Sequence, residues 1–302
     1  MTDHSNRPDL VAVASMPEAL ATALAERFHV HMGEGPATTR AIVGHGMMRM
    51  TAQDMDRYPA LEIIAINGVG YDGVDVEAAR SRGIRVTTTA GVLTDDVADL
   101  AIGLMLAVER RIAANDRAAR AGTWQVPLSR RATGRRVGIF GMGQIGMAIA
   151  RRAEPFTGEL LYCARSEKAL PWTFRPDIGS LAEASDVLII IAPGGAETRA
   201  IVNADVLEKL GKDGVLVNVA RGSLVDEAAL VAALEAGTIA GAGLDVFEDE
   251  PHIPQALKAM DQVVLSPHQG SATVACRSAM AGLVLANLDA HFTGKPLPTP
   301  LV

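Results

Sequence analysis

Val137-Gly138-Ile139-Phe140-Gly141-Met142-Gly143-Gln144-Ile145-Gly146 constrains this chain more than any other stretch. An apolar, strand-like run passes straight into G-x-G-x-x-G, and apolar residues then recur at helical spacing through Ala148, Ile149 and Ala153. Gly141 permits a tight turn, Gly143 lets backbone amides approach a pyrophosphate, and Gly146 lets the new helix pack closely on the strand. Gln144 and Ile145 fall in the first helical turn, whose partial positive charge favours an anion. Glycine triplets also occur in ordinary loops; the strand-to-helix junction is what points to a dinucleotide here.

The rest of the chain has the same rhythm. Leu10–Ser15, Ala41–Val43, Ile63–Ile66 and Arg85–Thr89 read as strands, Pro17–Arg27 and Thr51–Arg57 as helices, and another helix ends near Gly83. A long apolar-periodic helix is expected from Asp95 to about Arg111, with Thr94 and Asp95 as candidate caps. Ala119–Arg131 is polar and irregular. After the glycine turn, strands are expected at 159–163, 187–191, 215–219, 239–244 and 263–265, and helices at 144–153, 203–210, 226–236 and 273–292. Strands alternating with helices imply an α/β fold of parallel, helix-covered sheets.

At 302 residues the chain is long enough for two such domains. A composition 49% hydrophobic and 21% charged is that of a folded protein. A net charge of −7 without a basic block argues against nucleic acid as a partner. No apolar run approaches the ~18 residues that span a bilayer, and Met1–Arg7 lacks the apolar core of a signal peptide. Cys163 and Cys276 have neither disulfide nor metal-site spacing. A cytoplasmic location and no metal are the expectations.

NAD-binding turns place Asp or Glu at the end of the next strand to accept hydrogen bonds from a ribose hydroxyl. Here Leu160-Leu161-Tyr162-Cys163 ends in Ala164-Arg165-Ser166. The planar fork of Arg165 and the hydroxyl of Ser166 suit a 2′-phosphate, and Lys168 adds a point charge. The missing acid and the arginine together favour NADPH/NADP over NADH/NAD, which stays possible; the plain alternative is a loop with surface cations.

Three stretches in the second half carry chemistry. Val217–Asp226 is an apolar strand ending in Arg221-Gly222; Gly243–Pro251 contains Asp245 and Glu250; Leu265–Ser271 contains His268. In a doubly wound sheet all three follow C-terminal strand ends, on the side of the glycine turn. Hydride addition to a ketone needs a proton donor at the oxygen, which suits a histidine beside a carboxylate. An arginine holds a 2-oxo acid through its carboxylate and carbonyl. Singly each has a plain alternative: His268 in a turn, Arg221 paired with Asp226, Glu250 in an acidic loop.

Asn67-Gly68-Val69-Gly70-Tyr71-Asp72, Gly91-Val92-Leu93-Thr94-Asp95, the glycine turn, Val219-Ala220-Arg221-Gly222-Ser223-Leu224-Val225-Asp226, Gly243–Pro251 and Ser266-Pro267-His268-Gln269-Gly270-Ser271 occur in that order over nearly the whole chain. In this the sequence resembles the D-isomer-specific 2-hydroxyacid dehydrogenases, within them the glyoxylate/hydroxypyruvate reductase group. The resemblance implies two Rossmann-like doubly wound domains: a discontinuous substrate domain, 1–96 and 270–302, and an inserted dinucleotide-binding domain, 97–269, with helices 95–111 and 273–292 as hinge. It implies that Arg221 orients substrate, His268 is the acid/base and Glu250 tunes it. Val69 and Gly70 would offer amides to the substrate carboxylate. Asp245 would contact the nicotinamide carboxamide. Pro193 and Thr198 would line the cofactor cleft, with Thr94, Ala220 and Gly270 beside it. One departure is Ile191-Ala192-Pro193-Gly194-Gly195, where many relatives carry His-x-Pro-Leu-Thr.

The resemblance also implies a homodimer, in which Trp124 covers a neighbour's substrate pocket or packs in the interface. Gly44-His45-Gly46-Met47 would border substrate, while core packing is the simpler role for Met47, Met48 and Met50. The expected activity is NADPH-preferring reduction of glyoxylate, hydroxypyruvate or a similar small 2-oxo acid. The alternative is a non-enzymatic, cofactor-sensing binding protein of the same fold. Formate dehydrogenases, which usually carry glutamine in place of Glu250, and phosphite dehydrogenases are the neighbouring enzymes.

Overall fold

The computed structural model describes residues 7–302, so Met1–Asn6 of the polar N-terminal stretch lie outside it. It divides into two compact units, one made of residues up to Leu93 with Thr273–Val302, the other of Thr94–Ala272.

The first unit contains Asp9–Ala12 (β1), Glu18–Ala25 (α1), His29–Met32 (β2), Thr39–His45 (β3), Ala52–Asp56 (α2), Ile63–Asn67 (β4), Val76–Ser81 (α3) and Arg85–Thr87 (β5). The five strands are parallel, in the order β2-β1-β3-β4-β5. Successive side chains point to opposite faces. Val11, Ile42, Ile64 and Val86 therefore pack with Met48, Met50, Met55 and Val74 on one face. Leu10, Ala41, Val43 and Ile63 pack with Leu20 and Leu24, and with Val284 and Leu288 of the C-terminal helix Val274–Phe292, on the other. Both faces are covered, which is why the central strands read as unbroken apolar runs. Met48 and Met50 are core residues, while Met47 is exposed. The last residues fasten onto the edge strand, Leu301 N donating to Val86 O at 2.7 Å and Thr299 Oγ1 to Thr88 O at 2.6 Å.

The second unit runs Thr94–Glu109 (α4), Ile112–Arg120 (α5), Arg135–Phe140 (β6), Gln144–Ala153 (α6), Thr157–Cys163 (β7), Thr173–Phe174 (β8), Ile178–Glu183 (α7), Val187–Ile190 (β9), Ala204–Leu210 (α8), Val215–Asn218 (β10), Glu227–Glu235 (α9), Gly241–Leu244 (β11), Gln255–Ala259 (α10) and Val263–Leu265 (β12). Val274–Phe292 is α11, part of the first unit. Seven parallel strands stand in the order β12-β11-β10-β9-β6-β7-β8. The chain leaves β6 towards β7 and β8, then returns to β9 on the opposite flank. That reversal opens a crevice at the C-terminal ends of β6 and β9, where ligands bind in such sheets.

Three details differ from the sequence reading. The helix begins at Thr94 itself, so Thr94 is its first helical residue and not its cap. The stretch Ala119–Arg131, expected to be irregular, opens on the last two residues of α5, whose run of alanines and arginines forms a helix without burying an apolar face. Strands β1 and β5 stop at Ala12 and Thr87, two or three residues short of the apolar-looking runs that suggested them. At its far end α4 carries Glu109, whose fully buried side chain accepts Arg130 Nε at 2.9 Å and Arg135 Nε at 3.0 Å. Those bonds fix the return of the chain into β6.

Candidate active site

Because all seven strands of the second unit are parallel, the residues that follow them lie along one edge of the sheet. The glycine turn follows β6. Gly141 has φ +109°, and a Cβ there would stand 2.6 Å from Ala192 N. A Cβ on Gly146 would stand 2.0 Å from Gly141 O, so helix and turn touch. Gly143 is different: it heads α6 with no capping side chain, and a Cβ on it would meet nothing within 4 Å. Uncapped amides of Gln144 and Ile145 beside that open space form a cradle that fits a pyrophosphate.

Arg165 and Ser166 follow β7 and are exposed; Glu167 is exposed as well. Pro193 and Thr198 follow β9, and Thr198 Oγ1 donates to Pro193 O at 2.9 Å, closing that loop on itself.

Arg221 follows β10. Its turn is shaped by Asn218, a buried side chain that donates through Nδ2 to Arg221 O at 2.9 Å and accepts Ala220 N at 3.1 Å. Gly222 lies so close to the neighbouring loop that a Cβ would stand 1.9 Å from Phe247 C and 2.3 Å from Glu248 N. That approach brings the Arg221 turn against the loop carrying Glu250. Asp226, read as a possible partner for Arg221, caps α9 by accepting Ala229 N at 3.0 Å.

Asp245 follows β11 and is 1% exposed. Its Oδ1 accepts Ser266 Oγ at 2.6 Å and Gln269 N at 2.7 Å, and Oδ2 accepts Gly270 N at 2.9 Å. Its carbonyl accepts His268 N at 2.8 Å. One aspartate thus holds the loop after β12, in which His268 sits at φ +54°, a left-handed conformation that non-glycine residues seldom adopt.

His268 Nδ1 and Glu250 Oε2 are 2.8 Å apart, and Glu250 Oε1 accepts Phe247 N at 3.1 Å. Burial pushes the Glu250 carboxyl up, but the His268 bond, the Phe247 amide and the charge of Arg221 outweigh it and hold the group below its ordinary value. An ionised carboxylate only accepts, so Nδ1 carries the proton and Nε2 is the nitrogen left to face a ligand. Arg221, Glu250 and His268 thus gather at three neighbouring strand ends. Val69 and Gly70 follow β4 in the other unit, near Asn67 Oδ1 and Thr89 Oγ1, two buried oxygens without a hydrogen-bond partner. Asn218 was missed from the sequence; its signal was an amide side chain at the end of an otherwise apolar strand, two residues before the Ala-Arg-Gly turn.

A dinucleotide turn at the switch point and a carboxylate-backed histidine with an arginine two strands away are the equipment of a nicotinamide-dependent oxidoreductase. Residues 102–270 match the family model described as D-isomer specific 2-hydroxyacid dehydrogenase, NAD binding domain. A hydroxyphenylpyruvate reductase of Plectranthus scutellarioides is 48% identical over 87% of this chain and 85% of its own. A 2-ketogluconate reductase of Gluconobacter oxydans is 44% identical over 99% and 100%. The crystal structure of an NADPH-dependent glyoxylate/hydroxypyruvate reductase from Sinorhizobium meliloti, in complex with NADP and malonate, superposes with a TM-score of 0.93 at 45% identity, covering 98% of this chain and 97% of that one. The chain belongs to the D-isomer specific 2-hydroxyacid dehydrogenase family. It is an NAD(P)-dependent oxidoreductase, and the alternative of a non-enzymatic cofactor sensor falls away.

Proposed function

We propose that this enzyme reduces small 2-oxo acids, glyoxylate and hydroxypyruvate first among them, to 2-hydroxy acids with NADPH preferred over NADH. The observation that carries the reading is the His268–Glu250 pair beside the Arg221 turn. When bound, NADPH supplies the hydride. Gly141, Gly143, Gln144 and Ile145 hold its pyrophosphate, and Arg165 and Ser166 its 2′-phosphate. Thr94, Pro193, Thr198, Ala220, Asp245 and Gly270 complete the cofactor site, although in the present geometry both Asp245 oxygens already hold the His268 loop. Arg221 binds the substrate carboxylate and fixes the ketone for attack. In its imidazolium form His268 gives the Nε2 proton to the ketone oxygen as it gains charge and keeps the Nδ1 proton, through which Glu250 fixes the ring. Val69 and Gly70, in the first unit, are assigned to substrate through their backbone amides.

Residues 1–96 and 270–302 are assigned as the substrate domain and 97–269 as the dinucleotide-binding domain. A homodimer is the assigned assembly, supported by Trp124, Val126 and Leu128, apolar side chains exposed on the segment between α5 and β6. Cys163, a buried free thiol, supports a reducing, cytoplasmic location, and among the described residues no helix is long and apolar enough to cross a membrane.

The test follows absorbance loss of NADPH or NADH against a panel of 2-oxo acids. His268→Ala and Arg221→Ala each lower kcat/KM for the best substrate by roughly 10²–10⁴-fold with NADPH affinity retained. Near-normal turnover in either variant removes the mechanism, and a higher kcat/KM with NADH removes the cofactor preference.

A further inference from the structure

The loop that bears Arg165 and Ser166 has no hydrogen bond from either side chain to hold it; what shapes it lies one residue before the strand ends. Tyr162 is the penultimate residue of β7 and is fully buried. Its hydroxyl accepts Lys168 N at 2.8 Å and donates to Lys168 O at 3.0 Å. One phenol oxygen therefore satisfies both backbone groups of a single residue, closing residues 163–168 into a loop with Arg165 and Ser166 at its tip. The ring itself is fixed by Phe174 of β8, with centroids 5.5 Å apart and planes inclined by 55°. Its carbonyl accepts Arg175 N at 2.8 Å.

The other foot of the loop is tied to the nucleotide turn. Cys163, next to Tyr162, accepts the N–H of Gly141 through its carbonyl at 3.0 Å. The loop thus has two fixed points, one on the turn assigned to the pyrophosphate and one on a buried phenol. Between them only four residues remain, too few to wander once both ends are held. A phosphate on the ribose can be recognised by a guanidinium and a hydroxyl only if these stand at a set distance from the pyrophosphate site, and the two fixed points set that distance.

We infer that Tyr162 is a specificity-positioning residue: its hydroxyl clamps Lys168 so that Arg165 and Ser166 are presented to the 2′-phosphate, and it thereby sets the preference for NADPH. This rests on the NADPH reading above. Tyr162→Phe removes one oxygen and keeps the ring packing on Phe174. It leaves the Lys168 N–H without a partner and its carbonyl with only the Leu170 N–H at 2.8 Å, and the loop opens to find solvent. The chemistry three strands away is untouched.

The experiment measures kcat and KM for NADPH and NADH at saturating 2-oxo acid in the wild type, Tyr162→Phe, Arg165→Ala and the double variant. Tyr162→Phe is expected to raise KM for NADPH about tenfold, the weight of one hydrogen bond to a buried group, while kcat and both constants for NADH hold. In the Arg165→Ala background the same change has no further effect on the NADPH-to-NADH ratio. Amide exchange of Lys168 accelerates in Tyr162→Phe, a direct reading of the broken clamp. Lys168→Pro, which removes the same N–H from the loop side, lowers the ratio in the same direction and serves if Tyr162→Phe does not fold. If Arg165→Ala collapses the ratio while Tyr162→Phe leaves it intact, or weakens both cofactors equally, the positioning role is overturned and the cofactor reading stands. If Arg165→Ala leaves the ratio unchanged, the cofactor reading fails, and the positioning role fails with it.

Discussion

Gly222→Ala tests whether backbone packing alone assembles the site. The added methyl would stand 1.9 Å from Phe247 C, 2.0 Å from its oxygen and 2.3 Å from Glu248 N. All three are backbone atoms, so no side chain can swing aside. Restoring an ordinary separation of 3.4 Å means a retreat of 1.5 Å by the Arg221 turn, the Phe247–Glu248 loop or both. Glu250 is held by the Phe247 amide in that same loop, so the retreat separates Arg221 from Glu250 and from the histidine it orients. A displacement near 1 Å costs about 10²-fold when geometry carries the catalysis, so kcat/KM for glyoxylate with NADPH should fall by at least that, about 2.7 kcal/mol in barrier. Overpacking of this kind also costs about 1–3 kcal/mol of stability. The glycine turn is elsewhere on the sheet edge, so NADPH binding followed by fluorescence should change little. Gly103→Ala is the control. That residue lies in α4 with nothing within 4 Å of a Cβ, and the change should be neutral or slightly stabilising. Wild-type kcat/KM in Gly222→Ala, with the protein folded, would refute the claim that this close approach sets the constellation.

Glu109→Gln leaves two guanidinia facing a neutral amide, and because Arg130 and Arg135 keep some exposure the expected loss is about 3 kcal/mol, read by urea denaturation at pH 7. The Glu250 carboxyl sits below its ordinary value when folded, so its contribution to stability is full above the ordinary carboxylate range and disappears as pH falls through the lowered value. The stability gap between wild type and Glu250→Gln should therefore be constant at neutral pH and narrow in acid; a gap that widens in acid reverses the sign. The pH–rate profile of Glu250→Gln should also change shape, and an unchanged profile counts against a role in orienting His268. Burial pushes the Cys163 thiol up to about 11, so a thiol reagent at pH 8 should leave it unmodified until the protein unfolds.

The glycine turn was legible because its physical demands are local: three backbone constraints within six residues leave few other sequences that do the job. The placement of Arg221 and His268 was legible for a related reason, since both follow strands that announce themselves as apolar runs, and parallel topology puts all such ends on one edge. What escaped is whatever is set across the chain. Asn218 and Tyr162 look like ordinary strand residues until the loops they hold are seen. Asp245, read only as a cofactor contact, accepts three hydrogen bonds from residues 266, 269 and 270. The edge strand β2 hid because it is short and none of its four residues is fully buried: His29 and Met32, on opposite faces, are exposed, and no apolar run results. The short β8 hid because two residues carry no pattern at all.

The sheet orders the site as well as supporting it. Neighbouring strands stand about 4.8 Å apart, so the edge of the second sheet works as a ruler. Read from β7 through β6, β9 and β10 to β12, the strand ends carry Arg165, the glycine turn, the Pro193 loop, Arg221 and finally His268. That is also the order in which the parts of a bound dinucleotide and its substrate have to be met: extra phosphate, pyrophosphate, nicotinamide end, then the acid to be reduced. On the proposed assignments, cofactor choice and chemistry sit at opposite ends of one sheet edge, each with its own buried holder, Tyr162 at one and Asp245 at the other. Such a layout lets the residues after β7 change without disturbing those after β10 and β12. On the proposed assignments it fits a chain that has Arg221, Glu250 and His268 together while placing Arg165 where a ribose-binding carboxylate would otherwise stand.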